Sequence, residues 1–248
     1  MAGHSKFKNI MHRKGAQDKK RAKLFSRLIR EISVATKLGL PDPDSNPRLR
    51  TAINNGLAAN MPKENIDRAI RKNSESSSGN NIDEIVYEGF GAGGAAIIID
   101  AITDNKNRTA SEIRTTFSKN NGNLGTSGSV KHFFDRVGVI KYPKNIGSYE
   151  DIFEFSLEIA AKDVAEDDES YEVIADLENY NLINSKLEKK YNIPISSNLD
   201  WKPRDLINVS EKDSINLIRL IEKLEEVDDV QNISSNFDIK EEIMEKIF

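Results

Sequence analysis

The side chains best suited to chemistry in this chain are cations crowded near its N-terminus. Residues 1–30 hold ten lysines and arginines but a single acidic residue, Asp18. Cations at this density favour phosphate binding, because each contact releases counterions from a nucleic-acid backbone. The predicted nucleic-acid-binding residues are nine of these cations and one histidine: Lys6, Lys8, His12, Arg13, Lys14, Lys19, Lys20, Lys23, Arg27 and Arg30.

The charge of the chain is strongly segregated along its length. Residues 1–75 contain 17 basic and 7 acidic side chains, and the remaining residues contain 19 basic and 33 acidic ones. The formal net charge of −4 therefore hides a cationic end joined to an acidic body. A cationic end attracts polyanions, whereas an acidic body is repelled by phosphates. We expect a nucleic-acid partner that meets the N-terminal third.

A loop rich in glycine and small polar residues is a possible second contact. Two interpretations remain open for residues 121–129. Consecutive backbone N–H groups could form a nest for a phosphate, or the segment could be a tight structural turn. Lys131 and His132 follow in a stretch, 130–134, that reads as a strand. The candidate contact residues of the loop are Asn121, Gly122, Asn123, Gly125, Thr126 and Ser127.

The remaining motifs argue against catalysis and against a metal or cofactor. The glycines of 89–94 fit G-x-G-x-x-G, but they lead into a strand instead of a helix, so a hairpin connection is expected. The acidic run 166–169 lacks the rhythm of a calcium loop and reads as a solvated turn. The chain has no cysteine, which excludes thiolate chemistry and cysteine-ligated zinc. We predict no catalytic residues, no metal and no cofactor.

Composition indicates a soluble, cytoplasmic protein. Its residues are 38% hydrophobic and 31% charged, as in an ordinary globular protein. No apolar run approaches the roughly 18 residues of a membrane helix. The absence of cysteine suits a reducing compartment. The oligomeric state is left open.

Three amphipathic helices are predicted to position the cations. A helix over 17–38 places an apolar stripe opposite a basic ridge. The second helix begins at Asn46-Pro47 and the third at Pro62, and a linker-like segment follows over 74–81. The stripe consists of Leu24, Leu28, Ile32 and Ala35, and Leu57 is expected inward on the second helix. The basic ridge consists of Lys19, Lys23, Arg27, Arg30 and Lys37.

Strands alternate with helices in the rest of the chain, which indicates α+β layers. A nearly continuous apolar run makes 95–102 a buried strand. Helices are expected at 149–162, capped by Ser148, and after Ser210. Further strands are expected at 84–88, 137–142, 171–175, 193–199 and 230–234.

Four sequence blocks carry a family resemblance. The blocks are Ala2–Lys6 with His12–Lys14 and Ala16–Asp18; Asn46–Arg50; Ala59–Lys63 with Asn65-Ile66 and Arg68–Ile70; and Tyr87–Phe90 through Arg108-Thr109 to Gly122–Gly125. Together they resemble the YebC/PmpR family of bacterial regulators. Phe7 stands where that family usually has tryptophan, and Ala92 stands where it usually has proline; neither departure removes the resemblance.

The resemblance implies an α+β multidomain fold, with an N-terminal three-helix bundle followed by two α+β domains. It implies that the third domain is inserted into the second. The expected boundaries are 1–80 for the basic bundle, 81–131 with 201–248 for domain two, and 132–200 for domain three.

The resemblance leaves two functions open. Bacterial members are described as DNA-binding transcriptional regulators, whereas organellar relatives are described as translational activators and some bacterial members resemble ribosome-associated factors. We expect a DNA-binding regulator, with a translation factor that binds ribosomal RNA, and so the ribosome, as the alternative. Charge does not separate the two, because both polymers present phosphates. An enzyme is the least favoured class, since no paired nucleophile and base is present.

Overall fold

The computed structural model describes residues 17–75 and 82–247. These ranges form two compact units, one containing residues 17–75 and 136–200, the other containing 82–135 and 201–247. Helices and sheets are present together in an α+β multidomain arrangement, as predicted. The three domain boundaries given above stay a prediction.

The N-terminal segment forms three helices. They are α1 (Gln17–Leu38), α2 (Pro47–Ala58) and α3 (Lys63–Glu75). The side chain of Asn46 caps α2 by accepting a hydrogen bond from the N–H of Leu49 at 3.1 Å, and Pro47 occupies the first turn, where its missing N–H costs nothing. The helices bury a shared core that includes Ile32, Leu49 and Ile66.

Two predictions about the inward faces of the bundle are wrong. Leu24 is 46% exposed and Leu57 is 41% exposed. With 22 residues, α1 is about 33 Å long, whereas its 12- and 13-residue partners reach only about 20 Å. The excess length leaves part of α1 without a facing helix, which accounts for Leu24.

The second unit is built on a four-stranded sheet in the order β3-β1-β2-β9. Helix α4 (Lys106–Lys119) follows β2, and the strand after residue 200 returns to pair antiparallel with β2. The helix ends where Asn120 and Asn121 turn the chain into β3. The strands are β1 (Asp83–Phe90), β2 (Ala96–Thr103), β3 (Asn123–Leu124) and β9 (Val230–Ser235).

Strand β2 is buried on both faces. Ile97 and Ile99 belong to the larger core, beside Leu217 of the helix at Glu211–Glu226. Ile98 points to the other face and packs in a smaller core with Phe134. The continuous apolar run in the sequence is explained by this double burial.

The glycine segment 89–94 connects β1 to β2 as a hairpin, as predicted. All of β1 pairs antiparallel with β2, and a 3₁₀ turn at Ala92–Gly94 closes the pair. Gly93 and Gly94 have φ of 67° and 78°, a region that favours glycine. The glycines therefore serve a turn, and a dinucleotide-binding helix does not follow them.

Residues 134–203 form a second four-stranded sheet, ordered β5-β6-β4-β7. Its strands are β4 (Phe134–Pro143), β5 (Asp163–Glu166), β6 (Ser170–Asp176) and β7 (Ser196–Pro203). Its helices are α5 (Tyr149–Glu158) and α6 (Tyr180–Tyr191). The C-terminal part adds β8 (Ile207–Asn208), α7 (Glu211–Glu226), β10 (Phe237–Asp238) and α8 (Glu241–Ile247).

Several element boundaries differ from the predicted ones. Helix α5 ends at Glu158, because Ala160 adopts a positive φ of 61° and the chain turns into the unpredicted strand β5. Strand β7 begins and ends a few residues later than 193–199. The stretch 130–134 is a 3₁₀ turn at Lys131–Phe133 that leads into β4, instead of a strand.

A buried carboxylate connects two strands of the first sheet with helix α4. Asp229, just before β9, accepts hydrogen bonds from the hydroxyl of Thr109 at 2.6 Å and that of Thr103 at 3.1 Å. Arg108 of α4 pairs with the same oxygen at 2.8 Å. This network fastens β9 and α4 to the end of β2.

Candidate nucleic-acid interface

Helix α1 contains five of the predicted phosphate-binding residues. Lys19 and Lys20 lie in its first turn, and Lys23, Arg27 and Arg30 follow along it. Lys23, Arg27, Arg30 and Lys37 of the basic ridge are all partly buried, and each has an interaction partner within the chain. Five predicted residues lie outside the described part of the chain: Lys6, Lys8, His12, Arg13 and Lys14.

A buried apolar residue interrupts the ridge. Val34 continues the line of Arg27 and Arg30 by one helical turn, but it is only 1% exposed. Ile32 and Ala35, on the opposite side, are also buried, whereas Lys37 is partly exposed and Leu38 is exposed. Among the side chains that the structure describes, the ridge therefore has three cations before Val34 and one, Lys37, after it.

Other cations border the ridge. Arg21 is exposed, and its guanidinium lies 5.3 Å from the centre of the Phe25 ring. Arg48 of α2 forms a two-point ion pair with Glu31 of α1, with N–O distances of 2.7 and 3.1 Å. This pair holds α1 against α2 and neutralises one acid beside the ridge.

Asn55 of α2 binds the edge strand of the second sheet, a contact that no sequence motif predicts. The amide of Asn55 donates a hydrogen bond to the carbonyl of Ser197 at 2.8 Å and accepts one from the Ser197 N–H at 2.8 Å. Asn54 also donates to Glu188 of α6 at 3.1 Å. Since β7 is an edge strand, Asn55 occupies backbone groups that an edge leaves open.

The Asn55 contact continues into a buried polar cluster. The hydroxyl of Ser197 lies 2.7 Å from that of Tyr180 and donates to Asn184 at 2.9 Å. Burial raises the pKa of Tyr180 to about 12, against a smaller opposing effect of the Ser197 hydrogen bond. Tyr180 therefore stays neutral at physiological pH. The cluster of Tyr180, Asn184 and Ser197 extends the Asn55 contact into the buried part of the second sheet.

The 121–129 loop surrounds an internal carboxylate. Glu88 of β1 is buried and accepts hydrogen bonds from the N–H groups of Gly128 at 2.7 Å, Val130 at 2.8 Å and Lys131 at 3.0 Å. Burial acts to raise the pKa of Glu88, but the three N–H donors and the charge of Lys131 together lower it below its usual value. The N–H groups at the end of the loop thus hold a protein anion.

The candidate residues of this loop divide into two kinds. Gly122 packs against Phe117, where an added Cβ would lie 2.8 Å from the ring, and Gly125 donates its N–H to the carbonyl of Glu88 at 2.8 Å. These glycines are structural. Asn121, Asn123, Thr126 and Ser127 are exposed and remain accessible to a partner.

The acidic run 166–169 forms part of a strand end and turn. One Asp167 oxygen accepts hydrogen bonds from the N–H groups of Glu169 at 2.9 Å and Ser170 at 2.7 Å. Throughout the described ranges, no group of three or more His, Cys, Asp or Glu side chains is arranged to hold a metal. None of the helices in those ranges has the length and apolar character needed to cross a membrane.

Comparisons with known proteins account for nearly the whole chain. Residues 5–76 match the family model of the TACO1/YebC protein N-terminal domain, and residues 82–237 match that of the TACO1/YebC second and third domain. Both matches agree with the blocks identified in the sequence.

Two relatives and one solved structure show the extent of the likeness. A probable transcriptional regulatory protein of Zymomonas mobilis subsp. mobilis is 51% identical over 100% of this chain and 99% of its own length. One of Rickettsia bellii is 48% identical over 99% and 96%. The crystal structure of a conserved hypothetical protein from Aquifex aeolicus is 44% identical in sequence and superposes with a TM-score of 0.85. The match covers 91% of this chain and 93% of the Aquifex chain. The chain therefore belongs to the TACO1/YebC family.

Proposed function

We propose that this protein is a nucleic-acid-binding regulator of gene expression, and that it acts as a DNA-binding transcriptional regulator. The observation that carries the proposal is the concentration of charge: residues 1–75 hold 17 basic and 7 acidic side chains in a chain of net charge −4. The names of the two relatives, both probable transcriptional regulatory proteins, support the same role.

Phosphate contact explains why the cations are gathered on one helix of a small bundle. A solvated surface usually mixes charges of both signs, whereas Lys23, Arg27 and Arg30 follow one another along α1 without an intervening acid on that line. Contacts to phosphate fix the position of a protein on a duplex but carry no sequence information directly. Selection of a target then depends on the shape and deformability of the DNA.

Salt dependence of binding tests the phosphate contact. Duplex affinity is measured between 50 and 300 mM salt for the unchanged protein and for a variant with Lys23, Arg27 and Arg30 replaced by alanine. Since each lost phosphate contact reduces the slope of log K against log salt by about 0.9, we expect a slope smaller by about 2 to 3. The control replaces the exposed Lys212, Lys223 and Lys240 by alanine. Equal slopes for the two variants would contradict the proposal.

The alternative is a ribosome-associated translation factor that binds ribosomal RNA. It is favoured by exposed aromatic and cationic side chains near the 121–129 loop, a combination suited to unpaired bases. Crosslinking of the protein in cells, followed by sequencing of the retained DNA and RNA, separates the two. Enrichment of promoter DNA supports the regulator, and dominant recovery of ribosomal RNA supports the translation factor.

We propose that neither role involves turnover. The sequence carries no motif that pairs a nucleophile with a base, and the two relatives are named as regulatory proteins. Hydrolysis of a nucleotide or nucleic acid by the purified protein, abolished by a point substitution, would contradict this part of the proposal.

A further inference from the structure

A short aromatic turn on the unit of residues 82–135 and 201–247 has the chemistry of a base-stacking site. Lys131, His132 and Phe133 form one 3₁₀ turn, and all three side chains are exposed. The ring centres of His132 and Phe133 are 4.0 Å apart. Phe133 also meets Phe90 edge to face, with ring centres 6.4 Å apart. We call Lys131, His132 and Phe133 the aromatic turn.

The backbone of the aromatic turn is held at both ends. At its start, the N–H groups of Val130 and Lys131 donate to the Glu88 carboxylate. At its end, the carbonyl of Phe133 accepts a hydrogen bond from the N–H of Arg204 at 2.9 Å. A single exposed apolar ring is ordinary on a protein surface. Here the ring stands on a fixed backbone, so a ligand that stacks on it costs little conformational entropy.

A cation and a third aromatic ring border the turn. The ammonium group of Lys131 lies 6.0 Å from the centre of the Trp201 ring, and the indole N–H of Trp201 donates to Asp100 at 3.1 Å. Exposed Arg204 is held by Asp135 at 3.0 Å. Rings that offer a flat face, beside cations that meet a phosphate, are the combination by which proteins hold unpaired nucleotides.

We infer that the aromatic turn binds single-stranded nucleic acid by stacking an unpaired base against Phe133 or His132, with Lys131 at the adjoining phosphate. The inference rests on the proposed nucleic-acid-binding function and adds to it a second kind of contact, with an unpaired stretch of the polymer. The shared chemistry is a base with its phosphate, which single-stranded RNA and DNA both supply. A duplex does not supply it, because its bases are already stacked.

The full chain is titrated with labelled uridine and deoxythymidine decamers and with a duplex of 20 base pairs. The test variant is Phe133→Leu, which retains an apolar side chain against Phe90 but removes the aromatic face. The matched control is Phe153→Leu, since Phe153 and Phe133 are each 37% exposed and Phe153 lies on α5 in the other unit. Thermal unfolding of both variants verifies that they fold.

We expect Phe133→Leu to weaken binding of the decamers about tenfold and to leave duplex binding unchanged. Phe153→Leu should bind all three as the unchanged protein does. Trp201 is the one tryptophan of the sequence, and its ring lies 6.0 Å from the ammonium group of Lys131. The fluorescence of the protein therefore reports on this site, and we expect the decamers to quench it. Tighter binding of the uridine decamer identifies RNA as the source, and equal binding of both identifies the shared chemistry; each supports the site.

Three results would overturn the inference. They are equal decamer affinity of Phe133→Leu and the unchanged protein, an equal loss for the duplex, and constant Trp201 fluorescence at saturation. The variant in which Lys23, Arg27 and Arg30 are replaced by alanine distinguishes failure of this inference from failure of the proposed function. If that variant loses affinity while Phe133→Leu does not, the aromatic turn fails and the basic bundle stands. If the unchanged protein binds no nucleic acid, both fail.

Discussion

Asn55 and Ser197 are joined by a reciprocal pair of hydrogen bonds, each 2.8 Å long, between a side-chain amide and a strand backbone. The two residues are 142 positions apart, and both are buried. The amide occupies the N–H and the C=O of one residue, as a neighbouring strand would. A helical bundle is thereby attached to a sheet edge without adding a strand.

Replacement of Asn55 by alanine should destabilise this unit by about 2 kcal/mol, because it leaves two buried backbone groups of Ser197 without partners. Urea unfolding measures the loss, and amide exchange at Ser197 should accelerate. Asn54→Ala is the control, since it removes one partly buried hydrogen bond and should cost under about 1 kcal/mol. If the two variants lost similar amounts of unfolding free energy, the Asn55 contact would contribute no more to stability than the Asn54 contact.

Glu88→Gln should loosen the end of the 121–129 loop. Glutamine has nearly the same shape, but its NH₂ group cannot accept from the backbone N–H groups that face it. We expect a loss of about 2 kcal/mol and faster amide exchange at Gly128, Val130 and Lys131. Glu84→Gln, an exposed change on the same strand, is the control.

Glu88 should also contribute to the acid limb of stability. Its pKa in the folded protein is lowered from an ordinary value of 4.5. The carboxylate therefore stabilises the fold fully above the unfolded pKa, and this contribution disappears as the pH falls through the lower, folded pKa. Unfolding free energies measured from pH 7 to pH 3 should decline less steeply for Glu88→Gln than for the unchanged protein. Parallel curves would exclude this role of Glu88.

Asp229→Ala should destabilise the first sheet by about 3 kcal/mol. The change removes the acceptor shared by Thr103 and Thr109 and leaves Arg108 without its buried partner. Asp104→Ala removes the other, exposed partner of Arg108 and should cost no more than about 1 kcal/mol. Thermal unfolding of both variants, followed by circular dichroism, checks the difference.

Truncation of one isoleucine and one leucine of α1 should distinguish the part of the helix that packs in the bundle core from the part that is exposed. Ile32→Ala should cost about 2–5 kcal/mol, because Ile32 is fully buried in the bundle core. Leu24→Ala should cost under about 1 kcal/mol, because that side chain is 46% exposed. If Leu24→Ala were the more damaging change in urea unfolding, the exposure of the first turns of α1 would be wrong.

Periodicity predicted the helices, and a continuous apolar run predicted that β2 is a buried strand, because both are local patterns in the sequence. Asn46-Pro47 and Ser148 were recognised as helix starts for the same reason, since a cap acts within one turn. The exposure of Leu24 could not be predicted in this way. A helical wheel shows which side chains share a face but gives no information about where the partner helix ends.

The candidate sites depended on pairings between distant residues. Glycines and small polar residues at 121–129 suit a phosphate nest, and the structure fills the end of that loop with Glu88 from a strand 40 residues earlier. Val130 to Phe134 was expected to be a strand. The carboxylate of Glu88 holds that segment in a 3₁₀ turn instead, which exposes Phe133.

The return of β9 to β2 has a consequence for the order in which the protein is made. Ile97 pairs with Ser235, 138 residues later. At about 5–20 residues per second, synthesis of that interval takes roughly 7 to 28 s. During this time residues 136–200 are themselves being made, and one edge of the apolar strand β2 lacks its neighbour. The nascent chain must therefore keep β2 from pairing with other molecules until β9 has been made.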